Sequence, residues 1–509
     1  MPVSRRRLLG GLGAVVLLAG CRERRDPATI VFLIESSPAT LDPRVEADAQ
    51  SERISQLIFD PLVERDSSFQ PQPALAERWE FPDPLTCIFH LRKGVRFHDG
   101  RSLTAADVRY TFSSILEGRV TTTKAANFRA VSAMETPDDH TVIFRFKEPF
   151  ASFLANVSQG AIGIVPSGAG KDFGEAPVGT GAFRFVSAAQ DEEAILERNA
   201  DYWRGAPAAG RVRFKVAPDA TVRALELRKG AADIAINALT ADTVRALERE
   251  RHLRIVQAPG SVYQYIALNM EDPALRQPNV RRALAYAIDR QPLIAYLWRN
   301  QARPATSVLP PNHWAFNPNA KDYPHDPGQA IALLDTAGFR PGADGVRLRL
   351  TMKTSTEETS RLLAAVIQQQ LKQVGVAVEL RSNEFATFYA DIVKGAFQMY
   401  TLRWIRVNND PDIFEYCFHS RRVPPKGANR GHYTNPDLDK LLDASRVEMN
   451  QDKRRAILFD IQKTLNDDLP YLHLWCYDNV IVHHARWSGI TPSPGGDYDF
   501  LKRATPVVS

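Results

Sequence analysis

His98-Asp99-Gly100 and the adjacent pair His483-His484 are the residues of this chain that look most like reactive chemistry. A His beside an Asp suits proton transfer, and paired imidazoles suit a metal. Neither context supports that use. Asp99-Gly100 reads as a tight turn after a strand. Adjacent residues on a strand point to opposite faces, and His483-His484 has no recognised ligand spacing. Gly179-Thr180-Gly181 is too short to cradle a phosphate. No P-loop, G-x-S-x-G, H-E-x-x-H or C-x-x-C motif occurs. Beyond Cys21, the cysteines are Cys87, Cys417 and Cys476, and they match no metal motif. Three thiols form at most one disulfide. Cys417 and Cys476 are its candidates in an oxidising compartment, while Cys87 reads as a buried free thiol in a strand-like run. No catalytic constellation, metal site or cofactor is expected.

The elements around these residues are those of an ordinary globular chain. Its 509 residues are 44% hydrophobic and 24% charged, which excludes collagen-like, coiled-coil and disordered classes. The net charge is +5, and Arg5, Arg6 and Arg7 contribute to it from a signal-like segment. The body is therefore almost neutral, and nucleic-acid binding, which needs a clustered basic face, is not expected. Leu8 to Gly20 is an apolar and glycine run of 13 residues. A spanning helix needs about 20 apolar residues, so the run reads as a signal core. It ends Leu18-Ala19-Gly20-Cys21, which resembles a bacterial lipobox, with Cys21 as the thiol to be lipidated. An ordinary signal with a chance Cys is the alternative. Ser4-Arg5-Arg6-Arg7-Leu8-Leu9 also resembles a twin-arginine signal, and the export route stays open.

Beyond the linker, strands and helices are mixed throughout. Ile30–Ile34, Thr86–Arg92 and Thr141–Lys147 have strand character. The last two fall within a β-rich lobe expected over about residues 63–176. Thr104 with Asp107, Asp326-Pro327 with Gln329, and Asn435-Pro436 are helix starts. Twice a helix runs through a glycine into a strand: Asp219–Lys229 through Gly230, and Ser360–Val374 through Gly375. These joints, one in each half of the chain, predict two α/β lobes.

Ordered blocks then resemble the family 5 extracytoplasmic solute-binding proteins, the peptide and nickel binders of ABC importers. The blocks are Thr40-Leu41-Asp42-Pro43, Phe59-Asp60-Pro61-Leu62-Val63 and Pro73-Ala74-Leu75-Ala76-Glu77-Arg78-Trp79. Phe89 to Gly100, Leu103 to Val108, Pro177 to Gly181 and Asn199 to Trp203 follow, then Val280 to Arg290 and Tyr433 to Pro436. The resemblance spans roughly residues 38–480. It implies a bilobed periplasmic-binding-protein fold, two α/β lobes with two hinge crossovers and an extra domain inserted in the first lobe. The expected division is 1–20 signal peptide, 21–29 linker, 30–62 first lobe, 63–176 inserted domain, 177–268 first lobe, 269–474 second lobe and 475–509 first lobe. Tyr265–Asn269 and Leu472–Trp475 are the expected crossovers. The implied function is capture of a peptide or other small solute between the lobes and delivery to the permease subunits. A periplasmic, lipid-anchored monomer is expected. An oligosaccharide or anionic ligand on the same scaffold, or an envelope enzyme acting on cell-wall material, are the alternative readings.

The resemblance also points to the site. Peptide binders of this family carry a Trp-x-x-Asp stretch before an acidic-Pro pair, and that Asp receives the peptide ammonium. Here the stretch reads Trp404-Ile405-Arg406-Val407-Asn408-Asn409-Asp410-Pro411, with Val407 where the carboxylate is expected. A buried ammonium without a partner costs several kcal/mol. Three readings follow. Asp410 or Asp412 takes the role, or the ligand lacks a free amine, or Arg403 and Arg406 bind a carboxylate or phosphate in forked geometry. For the arginines a solvated surface role is the alternative. The other ligand-binding candidates are Ser37, after the first strand, and Trp475 and Tyr477 at the return crossover, for which hydrophobic core is the alternative.

Overall fold

The computed structural model describes residues 26–46, 48–158, 162–405 and 410–507. Cys21, Arg406, Val407 and Asn408 lie outside the described residues.

Two strands organise the molecule. Leu253–Leu268 runs outward and Tyr471–His484 returns beside it, antiparallel, from Leu253 opposite His484 to Ala267 opposite Tyr471. On one side of the pair the sheet continues through Met399–Trp404, Leu348–Ser355 and Val376–Asn383. On the other it continues through Ile234–Ile236, Thr29–Ile34, Arg211–Val216, Glu193–Arg198 and Phe183–Ala189. The inner strands on each side pair in parallel, as helix-through-glycine joints require. Gly230 and Gly375 sit at φ +68° and +80°, a conformation that favours glycine at the end of a helix.

Each end of the crossing pair is anchored in its own core. Tyr263, Tyr265, Trp475 and Cys476 join Leu284, Ile367, Met399 and Leu442 in the larger one. Ile481 joins Ile30, Phe32, Phe214 and Trp487 in the other, while Val31, Leu33, Leu253 and Val482 pack on the opposite sheet face. Thr29–Ile34 is thus buried on both faces, which explains its unbroken apolar run. Between the two cores the pairing register shifts between Pro259 and Tyr263. There a Cβ on Gly260 would sit 2.5 Å from the Tyr477 carbonyl oxygen, so only glycine lets the strands approach.

A separate four-stranded antiparallel sheet forms from Ala76–Asp83, Thr86–Leu91, Thr141–Phe146 and Val131–Asp138, in that order. Phe89, Phe112, Phe144 and Phe153 fill the core beneath it. Helix Ala105–Leu116 covers this sheet and starts as expected, with Asp107 accepting from the Thr104 amide and hydroxyl at 2.9 and 3.1 Å. Helices Pro327–Thr336 and Pro436–Val447 are likewise capped by Asp326 and Asn435. Asp99-Gly100 closes a tight turn, and the His98 ring is held against the carbonyl oxygen of Gly181 at 3.0 Å. His483 and His484 follow one another on the return strand, and His483 pairs with Ile234. Cys87, Cys417 and Cys476 are all buried free thiols, so the candidate disulfide does not form. Burial pushes both Cys417 and Cys476 up to about 12.

The unit around the four-stranded sheet touches the larger core's side directly. The Trp314 amide donates to the Ser68 carbonyl at 3.1 Å, and Phe69 stacks on His313 at 5.0 Å. The Ala151 amide donates to the Arg446 carbonyl at 3.2 Å.

Candidate functional site

Trp404 is the last residue of the Met399–Trp404 strand and pairs with Tyr263 of the outward strand. Strand pairing holds its backbone, and aromatic packing holds its ring. Tyr265 stacks on it at 6.1 Å and 11°, and Tyr416 meets it edge-on at 6.3 Å. The Arg430 guanidinium lies 5.1 Å from the Trp404 ring centre and 5.2 Å from that of Tyr389. This arginine is 4% exposed. It donates to the Tyr389 hydroxyl at 3.0 Å and to the Tyr400 hydroxyl at 3.4 Å. Among the described residues no carboxylate lies within ion-pair distance of it. Its loop is fixed by close approach: a Cβ on Gly431 would meet the Leu268 carbonyl oxygen at 2.2 Å. The rim is open and apolar, with Tyr389, Tyr416, Ile405 and Phe385 all exposed.

The indole of Trp404 carries an unanswered donor. Trp404 is 8% exposed, and its Nε1–H meets no acceptor among the described residues. Most buried donors are paired, so such a group calls for an explanation.

Asp410 faces inward. Its Oδ1 accepts from the Asp412 amide at 2.7 Å and lies 3.6 Å from Arg454 Nη2. Burial, with Asp412 adding to it, pushes the Asp410 carboxyl up to about 6. Arg454 also holds Asp412 at 3.0 Å, and the Ser152 hydroxyl bonds Asp412 from the four-stranded unit. Both acids are therefore committed to Arg454 and its neighbours.

The remaining candidates separate. Arg403 is exposed beside the crossover, near enough to Tyr477 and Glu357 to act on both electrostatically. The Tyr477 hydroxyl donates to Gln264 Oε1 at 2.9 Å, and Gln264 Nε2 donates to Thr401 Oγ1 at 2.8 Å. Those bonds tie the two crossing strands to the strand that ends in Trp404. Burial pushes the Tyr477 phenol up to about 12. Trp475 is fully buried in the larger core, against Trp298 and opposite Pro304. The Ser37 hydroxyl accepts from the Asp191 amide at 2.8 Å and ties the end of the first strand to a neighbouring turn. The structure thus sets Trp404 against Tyr265, Tyr416 and Arg430, commits Asp410 to Asp412 and Arg454, and sets Ser37 and Trp475 into scaffold contacts.

Sequence reasoning does not single out Arg430, Tyr389, Tyr416, Arg454 or Ser152. Phe385 and Tyr389, four apart in one short run and both exposed, are a usable signal, because exposed aromatic residues on a helix mark a surface with a use. Arg430 gives no such signal, since its environment is built from distant strands and helices.

Two α/β cores bridged by a crossing strand pair, with an aromatic panel at the strand end beside the crossing, define the bilobed binding-protein class. The chain belongs to the bacterial extracellular solute-binding proteins, family 5, whose model matches residues 70–423. It is 28% identical over 506 residues to the probable di/tripeptide-binding protein 5 of Pseudomonas aeruginosa, covering 94% of this chain and 95% of that one. It is 30% identical over 495 residues to protein XP55 of Streptomyces lividans, covering 94% and 89%. Among solved structures, the ABC transporter substrate-binding protein CtaP from Listeria monocytogenes superposes with a TM-score of 0.85 at 26% identity, covering 94% of this chain and 99% of that one. The periplasmic binding protein DppA from Helicobacter pylori, in complex with the peptide STSA, superposes at 0.74 and 25% identity, covering 94% and 98%. No described helix is long and apolar enough to cross a membrane.

Proposed function

We propose that this chain is the solute-binding component of an ABC importer, that it captures a peptide between its two lobes, and that it hands the peptide to the permease. The observation that carries this reading is near full-length similarity to di/tripeptide-binding proteins, on a fold whose two cores are joined by one strand pair. Two strands crossing together form a natural hinge. The register shift between Pro259 and Tyr263 marks where we place it, because ladder pairing is weakest there. Ligand bridging both lobes would favour the closed arrangement by its differential affinity for it. The permease would read closure as loading.

The ligand is proposed to lie along the strand end at Trp404, with Tyr389 and Tyr416 as walls and the 406–408 segment beside them. Arg406, Val407 and Asn408 are assigned to the site on sequence grounds alone. Tyr477 supports the site through Gln264. We further propose lipidation at Cys21, residence in the periplasm or cell envelope, and a monomeric state.

Thermal shift followed by titration calorimetry against a panel of di-, tri- and tetrapeptides tests the reading. At least one class should raise the melting temperature and bind with micromolar or tighter affinity. A panel without effect, alongside a positive response to oligosaccharides, would refute it. Loss of membrane association on Cys21→Ser in cells would support the anchor.

A further inference from the structure

We propose that the chain has a second binding site, for a small oxyanion (a carboxylate or phosphate group), in a hollow at the far end of the larger core. The hollow lies apart from the peptide site proposed above. The Met399–Trp404 strand pairs with the outward strand from Met399 opposite Leu268 to Trp404 opposite Tyr263. Met270 follows the Leu268 end, so the length of that strand, roughly 17 Å, separates the two places. Here an open hollow of about 590 Å³ lies between Glu271, Arg276, Arg281, His432, Thr434 and Asp468.

The charges that face this hollow are answered unequally. Glu271 pairs with His432 Nδ1 at 2.9 Å. Asp468 Oδ2 accepts from the Tyr433 hydroxyl and, at 3.0 Å, from Asn435 Nδ2. The two arginines meet only backbone carbonyls. Arg281, on helix Pro278–Ala287, is 5% exposed. Its Nη1 donates to the Leu275 and Arg276 carbonyls at 2.9 and 2.7 Å, and its Nε donates to the Asp468 carbonyl. Arg276, in the turn before that helix, donates from Nε to the Met270 carbonyl at 3.2 Å and from Nη2 to the Glu271 carbonyl at 3.3 Å. Among the described residues neither guanidinium has a carboxylate within ion-pair distance. Burial pulls the Arg281 guanidinium below its ordinary value, and Asp468, acting from further off, offsets part of that. A buried cation held by neutral dipoles favours an anion brought beside it.

The carbonyl bonds fix both guanidinium planes and leave Arg281 Nη2 and Arg276 Nη1 without a described acceptor. Planar N–H groups of this kind match the paired oxygens of a carboxylate or phosphate. The exposed Thr434 adds a hydroxyl donor at the rim. A cationic ligand would meet two like charges and would have to take Glu271 from His432. Met270 and Val423 give the hollow an apolar part, which suits an oxyanion carried on a small organic body.

Titration calorimetry of the full chain at pH 7.5 and constant ionic strength, with inorganic phosphate, phenyl phosphate and benzoate as probes, tests the proposal. At least one probe should bind with millimolar or tighter affinity. Phenyl phosphate at least threefold tighter than inorganic phosphate would identify an organic carrier, and equal affinities a free ion. Arg276→Gln alters an exposed side chain and should weaken anion binding at least tenfold while peptide affinity stays within twofold. Thr434→Val should weaken anion binding severalfold. No binding of any probe at tens of millimolar, or anion binding that Arg276→Gln leaves unaltered, would overturn the proposal and leave the peptide reading standing.

Discussion

Arg454→Met removes the cation that holds Asp410 and Asp412 together. Arg454 is buried and donates to Asp412 at 3.0 Å, to Ser152 Oγ at 3.2 Å and to the Ser445 carbonyl at 2.9 Å. Asp410 lies 3.6 Å from it. Breaking a buried pair by deleting one partner costs about 3–5 kcal/mol, because the other charge stays buried. In a unit of this size each kcal/mol shifts the melting temperature by roughly 2–4 °C, so a fall on the order of 10 °C is expected at pH 7.5. The pH dependence is the sharper test. The Asp410 carboxyl is raised from 3.8 to about 6 in the folded protein. The folded state thus keeps a proton between about pH 4 and 6 that the unfolded chain has lost. Stability from this group is present below that window and is lost as pH rises through it. A rise of that size corresponds to about 3 kcal/mol. Without Arg454 the carboxyl rises further, so at pH 5 it is neutral and needs no partner. Calorimetry of wild type and Arg454→Met at pH 7.5 and 5.0 should show the deficit shrinking by half or more at the lower pH. A deficit equal at both pH values, or under about 1 kcal/mol at pH 7.5, would refute the reasoning.

His473, whose ring nitrogens face the Tyr263 hydroxyl and Asn466, is pushed down to about 3 by burial. It should stay neutral by NMR titration at pH 5. Its folded value lies below the unfolded one, so its stabilisation is present above about pH 6.5 and is lost as pH falls toward 3. Asp60 accepts from Tyr202, Trp203 and Thr180 at 3.0, 2.9 and 3.0 Å. Asp60→Ala orphans buried donors and should cost about 2–4 kcal/mol in calorimetry, with peptide affinity unchanged. Gly431→Ala forces a methyl against the Leu268 carbonyl. It should destabilise by about 1–3 kcal/mol and disturb the packing of the neighbouring Arg430 on Trp404.

What can be read from the chain is local. Thr104 with Asp107, Asp326 ahead of Pro327 and Asn435 ahead of Pro436 announce their helices because a cap needs only neighbours within one turn. Gly375 announces a helix end for the same reason. Thr86–Leu91 and Thr141–Phe146 are legible as strands, and they pair directly. Of the proposed site, Trp404 and Asp410 are named in sequence only through resemblance. Asp412, Ser152 and Arg454 meet across 260 and 42 positions, and no local pattern encodes such a meeting. Arg430 reads in sequence as one more polar loop residue. Its environment appears only when one helix brings Tyr389 and one strand brings Tyr400 and Trp404 around it. Trp475 shows the converse: an aromatic residue at a crossover suggests a cleft wall, and the strand pairing buries it instead.

Native mass spectrometry of the chain purified from an envelope fraction measures most directly whether it is a peptide carrier. The account predicts a population heavier than the bare chain by the mass of a short peptide, released on unfolding and displaced by the tightest peptide of the calorimetry panel. A bound sugar in its place, or a chain that stays empty even when that panel is added in excess, would contradict it.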